Sequence, residues 1–573
     1  RSEVFSSRWG MLLAMLGMAV GTGNIWRFPR IAASNGGGSF LVAWAVFLLA
    51  WSVPLLILEF AMGKAMRRGA VGAFVKTLGP GFAWMGAWIA FVAAAIGFYY
   101  SVVMGWTIRF FVGTLTGEVP GATPSAFWDG FHSTPGAVVT HVVALSMAVF
   151  VVSRGVRGIE TAARILIPSL IVLVVVLAIR ALTLPGASEG LAFLFTPELS
   201  ELADWRIWIE ALTQNAWDTG AGWGLVLTYA VYMRAREDTA LNAFVIGFGN
   251  NSLLAGIMVL CTVFSVMPVV EAEQMLATSG NEGLTFIWVP QLFQEIPAGR
   301  FFQALFFLAL VFAAWTSLVA MIEMASRVLM DLGMERGRAL TIVAGAVLVF
   351  GTPSALKLEI FQNQDWVWGV ALMVSGFFFA FAVLKYGVTK FRESFINQEG
   401  SDIRIGAWWD WAIRLVALEA VFLAVWFLWS ARSDDFAATW TLFSPYNVGS
   451  VVIQFAIVIV VLLALTGRLA SAVTRHDEVQ AGLCRSRHAE AALARAAHRS
   501  VPASVLVKFH DFERFAREAY EEIPAAYKAG VDGLVVRRDA VAHPERPDVF
   551  TLGECLTEEH LSDFGSSETT RSV

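Results

Sequence analysis

The stretch AVGTGNIWRFP, residues Ala19–Pro29, interrupts an apolar run with residues that suit a ligand site better than a helix in lipid. Gly21 and Gly23 weaken a helix because glycine loses more backbone freedom on folding than any other residue. Asn24 and Arg27 bring polar and charged groups to a depth where they are costly. Peptide groups freed at such a point bind ions, carbonyl oxygens a cation and N–H groups an anion. The stretch therefore predicts an interrupted helix that holds a charged ligand.

A second interrupted helix follows five apolar spans later, at QNAWDTGAGWG, residues Gln214–Gly224. An unsatisfied backbone group in lipid costs several kcal/mol, so a break persists only where it faces a cavity and a ligand. Two glycine-interrupted helices at matching positions of two five-span halves are typical of inverted-repeat transporters that bind their substrate at the bilayer midplane. The alternative is that the glycines only allow helices to pack closely. Because each glycine cluster stands beside Asn or Asp, we favour transport.

The composition is that of an all-α polytopic membrane protein. Of the 573 residues, 57% are hydrophobic and 15% are charged, whereas a soluble domain carries about 25% charged residues. The net charge of -5 lies mostly after residue 470, and nothing in it indicates nucleic-acid binding. Apolar runs of about 20 residues, the length that crosses a bilayer, predict twelve spans, at residues 8–35, 39–66, 82–113, 137–153, 161–183, 206–233, 239–267, 299–330, 337–352, 365–388, 407–430 and 446–468.

Basic residues predict the orientation of these spans. Lysines and arginines are concentrated in alternate connections, such as residues 64–76, whereas residues 114–135 contain none. By the positive-inside rule both termini are cytoplasmic, and we expect a multi-pass protein of the cell inner (plasma) membrane. We divide the chain into a twelve-helix transporter domain at 1–470, a polar helical linker at 471–500 and a small cytoplasmic α/β module, truncated or regulatory, at 501–573.

With four further motifs, the two interruptions resemble the neurotransmitter:sodium symporter family, whose bacterial branch has the LeuT-type fold. The motifs are NGGGSF at Asn35–Phe40, VPLLILEFAMG at Val53–Gly63, YY at Tyr99–Tyr100 and AAWTSLVAM at Ala313–Met321. The resemblance extends over about residues 5–468. It implies twelve transmembrane helices, a 5+5 inverted repeat with helices 1 and 6 broken, and sodium-coupled symport by alternating access.

The resemblance implies two sodium sites. Sodium site 2 would consist of the carbonyls of Gly17, Val20 and Ala313 with the hydroxyls of Thr316 and Ser317. Oxygen ligands of this kind suit a small alkali cation and not a transition metal. The alternative for the two hydroxyls is a hydrogen bond to the preceding turn of their own helix, which is common in membrane helices.

Sodium site 1 would use the Ala19 carbonyl, Asn24, Asn250 and Asp218. Family members usually have Ser or Thr where this chain has Asp218, and they balance charge with chloride or with a Glu one turn beyond the helix-7 Asn. That later position is Leu254 here. A carboxylate at mid-membrane costs at least about 2.5–3.5 kcal/mol unless it is paired. We therefore expect Asp218 to supply the missing charge, so that no chloride is needed; the alternative is a protonated Asp218 that forms hydrogen bonds within the break.

The resemblance also implies the substrate pocket. Amide groups at Gly21 and Gly23 would hold a substrate carboxylate, because relatives that carry monoamines have Asp at the position of Gly21. A small zwitterion is therefore expected. Two guests fit the broad aromatic walls: a bulky or apolar amino acid, which we favour, and a betaine or other methylated ammonium compound held by cation–π contact. The side-chain subsite would be lined by Ile96, Tyr100, Trp217, Gly220, Trp223, Ser317 and Met321.

Gating residues follow from the same resemblance. Arg27 and Asp365 would pair as the outer gate, since a water-exposed ion pair is worth only about 0–1 kcal/mol and opens easily. The inner gate would pair Arg1 with Asp331, although Arg1 lies one position before the place where the family has its arginine. Glu59, deep in span 2, is expected to bond to the unwound backbone of a broken helix as a structural residue.

We therefore expect a sodium-coupled amino-acid symporter in the lipid bilayer, with two Na⁺ sites, no chloride and no enzymatic activity. A sensor that binds solute without transporting it is the alternative outside transport. A membrane-tethered hydrolase is disfavoured because the tail has no HExxH zinc motif. The sequence leaves the oligomeric state open.

Overall fold

Helices form nearly all of the described chain. The computed structural model describes residues 4–121, 123–234, 237–398, 401–441, 444–497, 533–543, 546–556 and 571–572. The helices of the first half are α1 Arg8–Ala19, α2 Thr22–Trp26, α3 Phe28–Ser34, α4 Gly38–Phe47, α5 Val53–Met66, α6 Ala70–Leu78, α7 Ala83–Thr116, α8 Glu118–Gly121, α9 Pro124–Asp129, α10 Pro135–Ser153, α11 Gly155–Leu182, α12 Ala187–Phe195, α13 Trp205–Asp218 and α14 Leu225–Ala230.

The second half continues the same pattern. Its helices are α15 Thr239–Phe248, α16 Ser252–Val266, α17 Val269–Thr278, α18 Gly280–Gly283, α19 Val289–Gln294, α20 Gly299–Asp331, α21 Arg336–Leu356, α22 Leu358–Tyr386, α23 Val388–Phe391, α24 Trp408–Ser430, α25 Phe436–Thr439 and α26 Val448–Ala497. Short π-helical turns at Leu48–Ser52, Leu284–Trp288 and Arg392–Ile396 join neighbouring helices, and 3₁₀ turns lie at Pro80–Phe82 and Glu201–Ala203.

The chain divides into two compact units, residues 1–479 and 480–573. In the second unit, strands β1 Gly533–His543, β2 Arg546–Leu556 and β3 Arg571–Ser572 form an antiparallel sheet in the order β1-β2-β3. Helix α26 continues to Ala497, well past the predicted end of span 12 at residue 468. The module predicted at 501–573 lies mostly outside the described residues.

The membrane spans confirm the predicted all-α polytopic fold. Ten described helices are long and apolar enough to cross a membrane, and the pair Arg8–Ala19 and Thr22–Ser34, bent by 48°, makes an eleventh. The predicted sixth span is split into α13 and α14, of 14 and 6 residues, so neither half is long enough alone. Span 10 begins at Leu358 rather than at residue 365, because the extended backbone of Lys357 separates it from α21.

Backbone breaks interrupt three spans. Helix 1 breaks between α1 and α2, where Gly21 is extended (φ -86°, ψ 175°). Helix 6 unwinds between α13 and α14, where Gly220 and Gly224 have φ of 71° and 78°, a conformation that favours glycine. A third break, between α15 and α16, was not predicted; it separates Phe248 from Ser252.

Two long helices, α7 and α20, form the wall against which the break in helix 1 lies. Helix α7 packs along α20, and α1 packs against both α11 and α20. The first break therefore faces the middle of α7, which carries Tyr100, and the middle of α20, which carries Ser317.

Candidate functional site

A cavity lies between the two predicted breaks. Residues from α1, α2, α7, α13, α14, α20 and α22 line it. Eight of the nine predicted substrate residues are among the lining: Gly21, Gly23, Tyr100, Trp217, Gly220, Trp223, Ser317 and Met321. The ninth, Ile96, is fully buried and does not line the cavity. Residues up to 300 positions apart, such as Gly21 and Met321, were thus predicted to share one pocket and line the same cavity.

Tyr100 and Ser317 enclose the break in helix 1. The Thr22 amide donates to Tyr100 Oη (3.2 Å), and the Thr22 hydroxyl donates to the same oxygen (2.7 Å). A Cβ atom added to Gly21 would lie 3.2 Å from both Tyr100 Oη and Ser317 Oγ, whereas one added to Gly23 would meet nothing within 4 Å. The backbone at Gly21 is therefore accessible only because it lacks a side chain, and Gly23 faces open space.

Asp218 ends α13 inside the protein, with only 2% of its surface exposed. The Trp44 indole N–H donates to Asp218 Oδ2 (3.1 Å), and the Ser252 hydroxyl donates to the same oxygen (2.9 Å). Asp218 Oδ1 is buried without a hydrogen-bond partner among the described residues. One carboxylate oxygen is thus bound by two neutral donors, while the other is free to bind a cation.

Two of the other predicted ligands of sodium site 1 line the same cavity as Asp218. Ala19 and Asn24 line the same cavity, and the Asn24 amide donates to the Ala19 carbonyl (2.8 Å). That hydrogen bond uses the Asn24 amide nitrogen, so the Asn24 Oδ1 atom remains an acceptor. Ala19, Asn24 and Asp218 therefore each contribute an oxygen-bearing group to the same cavity.

The fourth predicted ligand, Asn250, lies in the break of helix 7, between α15 and α16. Its Oδ1 accepts a hydrogen bond from the Ser252 amide (3.0 Å) and its Nδ2 donates to the Gly247 carbonyl (3.3 Å), so the side chain bridges the break in helix 7. Neither Asn250 nor its neighbour Asn251 lines the cavity. The next residue, Asn251, is only 5% exposed, and both of its side-chain polar atoms lack a partner among the described residues. Asn251 thus has the unsatisfied amide that was expected of Asn250.

Trp44 and Ser252, the two residues that donate to Asp218 Oδ2, were not predicted from the sequence. The triplet formed by Asn250, Asn251 and Ser252 inside an apolar span was the available signal, because three consecutive polar residues are costly in lipid. Trp44 gave no signal, since an indole in a membrane helix is usually filler or an interfacial anchor.

The residues predicted for sodium site 2 meet where α1 contacts α20. A Cβ atom added to Gly17 would lie 3.1 Å from Thr316 Cβ. The Thr316 hydroxyl donates to its own helix, at the carbonyls of Phe312 and Ala313 (both 3.1 Å), as the alternative interpretation expected. Its lone pairs stay available, because a hydroxyl that donates one hydrogen bond still accepts.

The remaining predicted ligands of sodium site 2 are Ser317, Val20 and Ala313. Ser317 Oγ is buried without a partner among the described residues. Val20 is the C-cap residue that follows α1, so its carbonyl lies at the break. The carbonyl of Ala313 faces the Thr316 hydroxyl.

Arg27 and Asp365 both line the cavity. No ion pair joins them within 4.0 Å among the described residues. The Arg27 guanidinium instead lies over the Trp217 ring, 4.8 Å from its centroid. Trp217 in turn meets Trp223 edge to face, with 5.9 Å between ring centroids. The arginine expected in the gate therefore makes a cation–π contact with a wall of the pocket.

On the side of the N-terminus, Asp331 is the centre of a charged cluster. It lies 2.8 Å from Arg327 and 3.4 Å from Arg68, and it accepts from the Gly69 amide (2.5 Å). Arg68 also pairs with Asp477, which lies on the extension of α26. Arg1, the predicted partner of Asp331, lies outside the described residues.

Glu59 accepts hydrogen bonds from the backbone at the break in helix 6. Its two carboxylate oxygens accept from the Gly222 amide (2.6 Å) and the Leu227 amide (3.2 Å). The side chain is completely buried. It thereby satisfies two backbone donors that unwinding would otherwise leave without partners.

Comparison with known proteins identifies the family. Residues 2–135 and 133–473 match the description "Sodium:neurotransmitter symporter family". The chain belongs to this family. An uncharacterized sodium-dependent transporter from Methanocaldococcus jannaschii is 30% identical to the symporter over 492 residues, which are 80% of this chain and 97% of that protein. The sodium-dependent neutral amino acid transporter B(0)AT3 from Rattus norvegicus is 31% identical over 291 residues, 45% of this chain and 46% of its own length.

A solved structure of the same architecture is that of MhsT in complex with L-phenylalanine. It aligns with the symporter at a TM-score of 0.64 and 28% identity, over 74% of this chain and 98% of MhsT. The symporter is thus a sodium-coupled, multi-pass membrane transporter with the LeuT-type fold. Its residues 474–573 lie beyond the family match.

Proposed function

We propose that the symporter imports an apolar or bulky amino acid together with sodium by alternating access. The observation that carries this proposal is a single cavity that joins Gly21 and Gly23 to the aromatic rings of Trp217 and Trp223. A free backbone beside a break binds a carboxylate, and aromatic walls bind a large apolar side chain. Support also comes from MhsT, solved with L-phenylalanine, and from the neutral amino acid transporter B(0)AT3.

Two sodium ions would couple to this substrate. Sodium site 2 would lie between the break in helix 1 and Thr316 and Ser317. Sodium site 1 would lie between Asn24 and Asp218, and we propose that Asn251 serves there in place of Asn250. The unpartnered oxygens of Asp218 and Asn251 support this assignment, because buried polar atoms rarely stay without partners.

Transport would be independent of chloride. The donors on Asp218 Oδ2, from Trp44 and Ser252, are the kind that would surround a bound anion, and here they surround a carboxylate of the chain itself. A fixed negative charge in that position would balance sodium without a mobile anion. The protein would lie in the cell inner (plasma) membrane with both termini cytoplasmic, as the positive-inside rule predicts.

Uptake by the purified protein in proteoliposomes tests this function. We expect labelled L-phenylalanine or another apolar amino acid to accumulate under an inward sodium gradient, in gluconate as well as in chloride. A panel of unlabelled amino acids would rank the substrates. Sodium-dependent binding without accumulation would instead identify a sensor, and accumulation without sodium would contradict the proposal.

A methylated ammonium compound is the second candidate, and one contact favours it. The face of Trp217 already binds a cation, the guanidinium of Arg27 at 4.8 Å, so the pocket wall suits cation–π recognition. Glycine betaine in the same competition panel separates the candidates. Displacement by betaine and not by L-phenylalanine would favour the second.

A further inference from the structure

An apolar groove on the outside of the transporter domain contains one carboxyl group. The groove lies between α4, α13 and α24, and Glu419 is in its wall. Glu419 stands in the middle of the 23-residue span α24 and is only 8% exposed. Its Oε2 atom has no hydrogen-bond partner among the described residues. An ionisable group at this depth is costly, so it indicates a function or a partner.

Aromatic rings surround this carboxyl group. Phe47, Trp205, Trp208 and Phe422 line the groove with it. The Trp208 N–H is already donated to the Leu202 carbonyl (2.9 Å), so Trp208 offers the groove its ring rather than a donor. None of the residues that line the groove is basic. The chain therefore supplies an unpartnered carboxyl group and aromatic faces here, and leaves the complementary cation to a ligand.

The groove opens towards lipid. Trp205 is 50% exposed and Phe422 is 53% exposed, although both lie on helices of the membrane domain. A ligand would therefore enter from the bilayer and must itself be lipid-soluble. We infer that this groove binds a lipophilic amine, whose protonated nitrogen pairs with Glu419 and contacts the aromatic rings while its apolar body fills the groove.

The position of the groove gives such a ligand a route to the transport site. Helix α13 forms one wall, and the same helix ends at Trp217 and Asp218. Trp205 on α13 already meets Trp426 on α24 edge to face, with 4.6 Å between centroids. An amine between these helices would hold α13 against α24 and reduce the turnover of transport without competing with substrate. This consequence rests on the proposed function, whereas binding of the amine does not.

Photolabelling of the full-length protein in nanodiscs tests the inference. The probe is a dodecylamine that carries a diazirine, and labelled peptides are identified by mass spectrometry. We expect labels on residues 205–212 and 415–422. The variant E419Q should lose label by at least about tenfold, because a hydrogen bond between two charged groups is lost. The control E295Q removes an exposed carboxylate elsewhere and should label like the wild type.

Competition and a second variant keep the test decisive. N,N-dimethyldodecylamine should displace the probe, and dodecanol should do so at least about tenfold less well, since it has no charge. W208L should also weaken labelling while Glu419 remains, which covers a failure of E419Q to fold. Equal labelling of E419Q and wild type, equal competition by dodecanol, or labels confined to other helices would overturn the inference. A groove covered by a second copy of the chain would give no label and would overturn it as well.

Discussion

Replacing Asp218 by serine should make transport depend on chloride, which the proposed function treats as unnecessary for the wild type. The substitution restores the residue type that relatives commonly have at this position. It also removes the carboxylate that accepts hydrogen bonds from Trp44 Nε1 (3.1 Å) and Ser252 Oγ (2.9 Å). These two donors would then be free to bind an anion from solution. Chloride is the expected occupant.

The size of the effect follows from the lost charge. Two opposite unit charges about 4 Å apart attract each other by about 4 kcal/mol at an effective dielectric constant of about 20. Removing the carboxylate charge should therefore weaken sodium binding by up to roughly a thousandfold. Bound chloride should restore most of this loss, because it returns a negative charge to the same donors.

The assay is uptake at increasing sodium concentration, in chloride and in gluconate. We expect the half-saturating sodium concentration of the wild type to be the same in both salts. For D218S it should be far higher in gluconate than in chloride. D218N should resemble neither, with weak sodium binding in both salts, because its amide fills the space without restoring charge. If Asp218 is instead protonated during transport, D218N should behave like the wild type.

A second substitution provides the matched control. S252A in the D218S background removes one of the two anion donors and should abolish the rescue by chloride. In the wild-type background it removes one hydrogen bond to a carboxylate, worth about 1.5–3 kcal/mol. The charge-balance reasoning is refuted if wild-type uptake stops in gluconate, or if D218S keeps wild-type sodium affinity without chloride.

The remaining predictions concern the breaks. G21A should weaken equilibrium binding of substrate by at least about tenfold, because its Cβ would lie 3.2 Å from two hydroxyls, whereas G23A should have a smaller effect since its Cβ meets nothing within 4 Å. N251A should raise the half-saturating sodium concentration of uptake. N250A should only lower the free energy of unfolding, by about 1 kcal/mol, because the Ser252 amide at the start of α16 loses its acceptor. The opposite result would return the ligand role to Asn250. E59Q should lower the stability measured by thermal unfolding in detergent, by about 1–3 kcal/mol, because an amide accepts from the Gly222 and Leu227 N–H groups less well than a carboxylate; unchanged stability would contradict its supporting role.

The breaks could be predicted from the sequence because a glycine cluster beside Asn or Asp weakens a helix in the middle of an apolar run. Gly21 and Gly220 stand out against their surroundings, and both lie at unwound backbone that lines the cavity. The family resemblance then related distant motifs to one another. This is how Tyr100 and Ser317 were predicted to line the same pocket as Gly21.

Other features depended on contacts that spacing does not reveal. Which of two adjacent asparagines keeps an unpartnered amide depends on where helix 7 breaks, and a shift of one residue rotates a side chain by about 100° around the helix. The hydrogen bond from Trp44 to Asp218 joins residues 174 positions apart. Arg27 has two candidate partners in the sequence, the ring of Trp217 and the carboxylate of Asp365. The sequence alone does not show that Arg27 lies over Trp217.

The charged cluster around Arg68 has a consequence for any movement of α20 away from Arg68 during transport. Arg68 lies between two carboxylates, Asp331 at the end of α20 and Asp477 on the extension of α26. A buried guanidinium that loses its last counter-charge is strongly destabilised. If α20 carried Asp331 away from Arg68, Asp477 would still pair with the guanidinium. Arg68 would therefore keep one counter-charge. The extended last helix thus supplies Arg68 with a second counter-charge that does not depend on α20.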